Sequence, residues 1–223
     1  MRSKKSLRNL KGLKVLITAG PTREFFDPVR FLSNPSSGKM GYALVDAALK
    51  AGAQVTLITG PVTMTPPKKA KVIPVISAED MYRATLKQAS HSDVIIMTAA
   101  VSDFRPKNIL SNKFKKTGKP LTITLEPTQD ILKELGRRKK KGQILIGFAA
   151  ETNNLIYNAK MKFRKKNLDG IVANRVGASE GGFESEKNKV ILISKTSIQS
   201  LPLLSKKSTA TRIVQFVQDF RTS

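Results

Sequence analysis

Two stretches of this 223-residue chain carry residue types at spacings suited to holding an anion. The first is Ser36-Ser37-Gly38-Lys39-Met40-Gly41, which stands just ahead of apolar residues at 40, 43, 44, 47, 48 and 51. That i, i+3, i+4 repeat predicts one buried helix face ending at Ala51-Gly52. The helix therefore opens near the serines and turns its unpaired N–H groups and positive dipole end toward whatever lies in front. Gly38 and Gly41 would let an anion approach the backbone; equally, the stretch would serve as an N-cap whose glycines ease helix packing. The second stretch is a row spaced by four residues, Asn154, Asn158, Lys162 and Lys166, on a helix whose apolar face is Leu155, Ile156, Ala159 and Phe163. Its two ammonium groups stand about 6 Å apart along the axis, and like charges at this spacing repel, so an anion between them would relieve a cost. The alternative is a solvated lysine-rich face.

Other chemistries lack their parts. There is no cysteine, which removes thiolate catalysis, disulfides and cysteine-ligated metals. The one histidine, His91, falls at a polar helix end remote from these stretches, and Ser36-Ser37 has no base in sight, which argues against a nucleophile–base triad. No Gly-x-Gly-x-x-Gly follows the first strand, and Gly38-Lys39 is followed by Met40 rather than the Ser or Thr of a P-loop. Lysines and backbone donors suit a polyphosphate. One Lys about 4 Å from a phosphate oxygen contributes on the order of 4 kcal/mol of gross attraction at an effective dielectric of 20. Without a protein nucleophile, the natural reaction is transfer between two substrates, catalysed by positioning and charge stabilisation, with a divalent ion screening the phosphates.

The elements that must position these groups alternate. Strands are predicted at Lys14–Thr18, Gln54–Thr59, Asp93–Thr98, Ile144–Phe148 and Gly170–Ala173, with a short edge strand at Val72–Ile76. Helices are predicted over about 40–51, 77–90 (opened by Ser77-x-x-Asp80), 129–141 and 153–167, and the last one carries Ile213, Phe216, Val217 and Phe220. The order implies an α/β fold, a Rossmann-like, mostly parallel sheet flanked by helices, whose strand ends after Thr18, Thr98 and Phe148 line one crevice. The segment Ala19–Pro35 spends 17 residues where such a connection takes about 2 to 6, which marks it as functional. A second irregular stretch begins at Asp103 and carries Lys113-Phe-Lys-Lys116; Lys113 to Leu125 is expected to form a ribbon projecting as a flap, about 104–125. Residues 188–194 and 197–203 read as a C-terminal antiparallel hairpin, with Gly181-Gly182 in the loop before it.

With 40 Lys+Arg against 16 Asp+Glu the formal net charge is +24, which calls for an anionic partner, yet 6% aromatic content and no Trp leave few stacking platforms for nucleic acid. The length suits one α/β domain over 13–223, preceded by a solvated basic arm over 1–12. No apolar run reaches the length of a membrane span and the first twelve residues lack the centre of a secretory signal, so a cytoplasmic protein is expected.

Several segments together resemble phosphopantothenoylcysteine synthetase, the ligase of coenzyme A biosynthesis. They are Ile17-Thr-Ala-Gly-Pro-Thr-Arg-Glu24, Asp27-Pro-Val-Arg30, Ser33-Asn-Pro-Ser-Ser-Gly-Lys-Met-Gly41, Ala99-Ala-Val-Ser-Asp103, Lys113-Phe-Lys-Lys116, Gly147-Phe-Ala-Ala-Glu-Thr152 and Gly182-Phe-Glu-Ser185. The resemblance implies that 4'-phosphopantothenate is activated by CTP, with Mg2+, to an acyl-cytidylate with release of pyrophosphate, and that cysteine then displaces CMP. It further implies catalytic roles for Asn34, which would bind the acyl-cytidylate, and for Lys113, on a closing flap. Met97, Thr98, Ala99, Asp103, Gln129, Asp130, Ile131, Leu132, Phe148, Lys162 and Lys166 match the family's nucleotide-binding positions. At Glu126-Pro-Thr-Gln-Asp130 this chain departs from the family, which places Pro directly before the Asp. A homodimer is implied, with no flavin, and the flavin-dependent decarboxylation carried by many bacterial relatives is expected on a separate chain.

Overall fold

The computed structural model describes residues 10–176 and 185–221. Fourteen strands and five helices occur among them: β1 Lys14–Ala19, β2 Arg23–Phe25, β3 Phe31–Ser33, α1 Lys39–Lys50, β4 Gln54–Thr59, β5 Lys71–Pro74, α2 Ala78–Ala89, β6 Val94–Met97, β7 Phe104–Pro106, β8 Leu125–Pro127, α3 Ile131–Arg138, β9 Ile144–Glu151, α4 Leu155–Lys165, β10 Gly170–Arg175, β11 Lys187–Asn188, β12 Val190–Ser194, β13 Ile198–Ser200, β14 Leu204–Ser205 and α5 Lys206–Asp219. Eight strands form one sheet in the order β13-β12-β10-β9-β6-β1-β4-β5. The six from β5 to β10 run parallel, and β12 and β13 add an antiparallel edge, as the sequence pattern predicts. The chain starts in the middle at β1, works outward to β5, then returns to β6 on the other side of β1. The carboxyl ends of β1 and β6 therefore diverge into a crevice, the place where such sheets bind ligands.

Both faces of the sheet are covered, so its strands are apolar on both sides. Val15 and Ile17 of β1 and Val94 and Ile96 of β6 point into one core with Leu44, Val45, Ile213, Val214 and Val217 from α1 and α5. Leu16, Ile95 and Met97 point the other way, with Met81, Ile131, Leu135 and Ala159 from α2, α3 and α4. Truncating a fully buried leucine such as Leu16 or Leu44 to Ala costs about 2–5 kcal/mol in cores of this kind. α2 starts where predicted: Ser77 and Asp80 form a reciprocal capping box. Glu24, itself buried, accepts the Ala78 N–H at 2.8 Å. Phe220 closes α5 and meets Phe216 edge-on at 4.9 Å.

Several expectations are corrected. Leu10, placed in the solvated arm, is buried under α1, with Leu10 N–H donating to the Ala51 carbonyl at 3.2 Å; residues 1–9 lie outside the described residues. The loop Ala19–Pro35 contains a small hairpin, β2 with β3. The ribbon expected over 113–125 is absent, and only β7 and β8, at the base of the flap, pair. Leu121 and Leu125 are exposed, and an alternating segment with no sheet edge beside it cannot satisfy its backbone as a strand. β9 extends past Phe148 to Glu151 because β10 continues alongside it to Arg175. Gly181-Gly182 and Gly182–Glu184 fall outside the described residues. Among the described residues no helix is long and apolar enough to cross a membrane.

Candidate functional site

The crevice at the carboxyl edge of the sheet is a cavity of about 590 Å³, of the size that holds a nucleotide-scale ligand. Its floor comes from the ends of β6 and β9, and its sides from the start of α1, the start of α3, the 162–166 row of α4 and the start of α5. Asn34, Ser36, Gly38, Gly41, Met97, Thr98, Ala99, Asp103, Gln129, Asp130, Ile131, Leu132, Phe148, Lys162 and Lys166 all line it. Two expected site residues are not part of its lining. Ser37 lies just outside it, and Lys113 is exposed on the flap. His91 is exposed after α2, at the opposite edge of the sheet.

The long loop after β1 is explained by what it holds. Thr98 Oγ1 donates to the Thr18 carbonyl at 2.5 Å, Ala100 N–H to the Gly20 carbonyl at 2.9 Å, and Ser102 N–H to Thr22 Oγ1 at 3.0 Å. Asn34 closes the set, its Nδ2 donating to the Ala100 and Val101 carbonyls at 3.2 Å each. The loop that follows β6 is thus fastened to the loop that follows β1 at successive residues, which fixes the crevice backbone without helix or strand.

Gly41 meets a packing need. A Cβ there would lie 2.4 Å from Ala19 Cβ and 2.8 Å from Thr98 Oγ1, so its absence lets α1 start against the end of β1. Gly38 takes a positive φ of 75° as the N-cap, where no side chain caps the helix. The packing alternative therefore accounts for both glycines, and the open end of α1 still faces the cavity.

The 162–166 row has acidic company. Lys166 pairs with Asp130, the N-cap of α3. Burial holds the Lys162 ammonium below the ordinary lysine range, with Glu151, Asp103 and Asp130 opposing that shift and Lys166 reinforcing it. Since the unfolded chain binds this proton more tightly, Lys162 makes stability rise with pH from its folded pKa up to the ordinary lysine value. If it contacts an anion, affinity falls as pH climbs through that lowered pKa. A Lys162→Met variant is expected to flatten this alkaline fall in a nucleotide titration; an unchanged profile would remove Lys162 from the contact. The apolar side of α4 is narrower than predicted: Ala159 is buried, whereas Ile156 is 43% exposed.

The middle of the flap, at Phe114 beside Lys113, is anchored to residues outside the cavity lining. The Asp27 carboxylate is buried and accepts N–H bonds from Val29 and Arg30 at 2.8 Å and from Phe114 at 3.1 Å, while Arg30 donates to the Phe114 carbonyl at 2.9 Å. Burial pushes the Asp27 pKa up, but these N–H groups and the Arg30 guanidinium outweigh it and leave it below the ordinary value. Its contribution to stability is therefore present above the ordinary carboxylate pKa and lost as pH falls through the lowered one. Asp27→Asn is expected to speed limited proteolysis between residues 107 and 124 several-fold at neutral pH, read by mass spectrometry of the fragments.

Among the lining residues that escaped the sequence pattern are Asn174, Asn188, Lys206 and the Lys39 side chain. Lys206 is only 6% exposed, and burial, then Lys39, lower its pKa against the opposing charge of Glu186. A signal existed, because α1 and α5 both open with lysine and carry no acid in the first turn, against the dipole preference.

Comparison with known proteins shows the family and the fold. The chain is 50% identical over 208 residues to the coenzyme A biosynthesis bifunctional protein CoaBC of Bacillus subtilis (strain 168), a match covering 92% of this chain and 51% of that protein. The chain thus spans about half the length of this curated relative. The crystal structure of the C-terminal domain of a CoaBC superposes with a TM-score of 0.83 at 43% identity, covering 96% of this chain and 98% of that one. A Cab2 mutant in complex with phosphopantothenate-cysteine shares the fold at 18% identity, with a TM-score of 0.78 over 95% of this chain and 87% of that one. The family model described as the DNA/pantothenate metabolism flavoprotein C-terminal domain matches residues 10–220, and the chain belongs to that family.

Proposed function

We propose that this crevice joins 4'-phosphopantothenate to cysteine in coenzyme A biosynthesis, using CTP. The observation that carries the proposal is convergence. Asn34 and the eleven positions expected to bind nucleotide come from five separate segments of the chain and line one cavity. The substrate carboxylate attacks the α-phosphorus of CTP, pyrophosphate leaves, and the acyl-cytidylate forms. The cysteine amine then attacks the acyl carbon, an amide forms, and CMP carries away the bonding pair. No side-chain nucleophile is needed. The protein's part is to align the carboxylate with the phosphorus and to meet developing negative charge with N–H groups and lysines.

Among the described residues no three acidic or histidine side chains gather as a cation cage. Mg2+ would be held chiefly by nucleotide phosphates with one or two carboxylates, and Asp103, exposed in the cavity, would supply one. When bound, the ion would neutralise phosphate charge. Lys113 acts only after the flap carries it inward. Homodimerisation is supported by apolar side chains left exposed on the β2–β3 hairpin and the flap, among them Val29, Phe31, Phe104 and Leu110.

The experiment is pyrophosphate release with 4'-phosphopantothenate, Mg2+ and either CTP or ATP, with and without cysteine. Phosphopantothenate-dependent release preferring CTP and turning over only with cysteine is expected. Release that ignores phosphopantothenate, or none at all, would overturn the assignment.

A further inference from the structure

A group of lysines that the crevice does not use gathers at the other edge of the sheet. Lys14 opens β1, Lys69 and Lys71 lead into β5, and Lys140 and Lys141 precede β9, so all five stand at the amino ends of their strands, and all are exposed. The first three line a recess of about 630 Å³ together with Gln88 and His91 from the end of α2. Lys140 is held at that helix end, its Nζ donating to the Ser90 carbonyl at 2.7 Å. Gln143 Nε2 ties the same loop to the Ala89 and Ser92 carbonyls at 2.8 and 2.7 Å. From β5 to β9 is four strand spacings in the sheet order, a width of about 20 Å.

Ordinary structural uses account for the neighbouring cations but not for these five. The helices α1 and α2 end at this edge, where the dipole favours a cation, and Lys50 and Lys87 in their last turns supply it. Lys139 pairs with Asp169, and Arg137 and Arg138 pair with Glu134. Among the described residues no carboxylate pairs with Lys14, Lys69, Lys71, Lys140 or Lys141. The acid set among them is Asp93, just before β6, whose Oδ2 accepts the Lys14 backbone N–H at 2.8 Å. Ammonium groups gathered this way repel one another, and a polyanion laid across them relieves a cost that solvent and salt only screen.

The surroundings select the kind of polyanion. Among the described residues the exposed large apolar side chains belong to the carboxyl edge and its loops, except Ile198 of β13, which lies two strands beyond β10. The amino edge therefore offers no row of stacking platforms for the bases of a single strand, and no apolar centre for a protein interface. Its recess is concave, so a rounded phosphate backbone can enter it where a flat layer of lipid head groups cannot. We propose that the amino edge of the sheet binds the phosphate backbone of a nucleic-acid duplex, without regard to sequence, through Lys14, Lys69, Lys71, Lys140 and Lys141. The scarcity of aromatic residues does not oppose this contact, because phosphates alone carry it. None of the five lysines lines the crevice, so the surface is independent of the ligase proposed above.

The test is fluorescence anisotropy of a labelled DNA duplex of mixed sequence, about 20 base pairs long, titrated with the full chain at salt concentrations from about 50 to about 200 mM. Five phosphate contacts give a log–log salt slope of about −4.5 and a loss of affinity on the order of 10²- to 10³-fold across that range. The double variants Lys69→Met with Lys71→Met and Lys140→Met with Lys141→Met should each reduce the magnitude of the slope by about 1.8. Lys69→Arg with Lys71→Arg should keep the wild-type slope, and Lys115→Met with Lys116→Met, on the flap at the carboxyl edge, should change it by less than about 0.5. Unlabelled single-stranded DNA of the same length and phosphatidylserine vesicles should each displace the labelled duplex more weakly than unlabelled duplex does. An unchanged slope in either amino-edge pair, or an equal reduction from the flap pair, would overturn the surface. Stronger displacement by single strands would overturn the duplex as its partner, and stronger displacement by vesicles would assign the edge to a membrane instead.

Discussion

Asn34→Asp is expected to lower the proposed cysteine-dependent turnover by about 10²-fold or more, the scale on which a misplacement of about 1 Å slows a positioned reaction. In the wild type, one amide nitrogen holds the Ala100 and Val101 carbonyls at 3.2 Å each. Aspartate replaces that donor with a carboxylate oxygen facing two carbonyl oxygens, so two attractions become two repulsions and the loop after β6 recoils. Ala99, Ala100 and Val101 all line the cavity, and the recoil therefore reaches the ligand directly. Asn34→Ala removes the donor without the repulsion and should cost less. Single-turnover pyrophosphate and CMP release would separate the half-reactions, and thermal melts would register any folding defect. A near-normal rate in the Asp variant would show that the clamp is dispensable.

Gly41→Ala should produce the largest effect on stability among changes in the site. The added Cβ would sit 2.4 Å from Ala19 Cβ and 3.1 Å from its Cα, and neither has a rotamer to move. Overpacking of this kind costs about 1–3 kcal/mol. At roughly 2–4 °C per kcal/mol for a chain of this size, the Tm falls by several degrees. Because relief must come from shifting the start of α1, the proposed CTP affinity is expected to fall as well. A stable Gly41→Ala protein with normal CTP affinity would show that α1 yields without disturbing the cavity.

What could be read from the sequence follows from how local each signal is. The central strands and α1, α2 and α5 were legible because burial imposes a period on their apolar residues. The capping box at Ser77 and Asp80 fixed the start of α2 within one residue. The β9 extension was hidden, because Ala149-Ala150-Glu151 belongs to a strand only through its pairing with Asn174 and Arg175. The flap ribbon failed for the converse reason, an alternating pattern with no edge to join. In the site, Lys162 and Lys166 stood out by spacing, whereas the carboxylates acting on Lys162 lie about 11, 32 and 59 residues away in sequence, at Glu151, Asp130 and Asp103, outside any periodic row. Lys206 and Asn188 form the opposite case: neither belongs to a periodic row, and only the pairing of β11 with β14 brings them beside α1.

The sheet separates two hydrophobic cores, one under α1 and α5 and the other under α2, α3 and α4, and the cavity opens onto both. A ligand gripped at both ends acts as a reversible cross-link between these halves, and either core can loosen only by letting go of it. At a hundred times its dissociation constant such a ligand adds about 2.7 kcal/mol against unfolding. Amide exchange in α4 and in α5, on opposite sides of the protein, should then slow together on binding, so that occupancy is sensed as one event by two structurally separate layers.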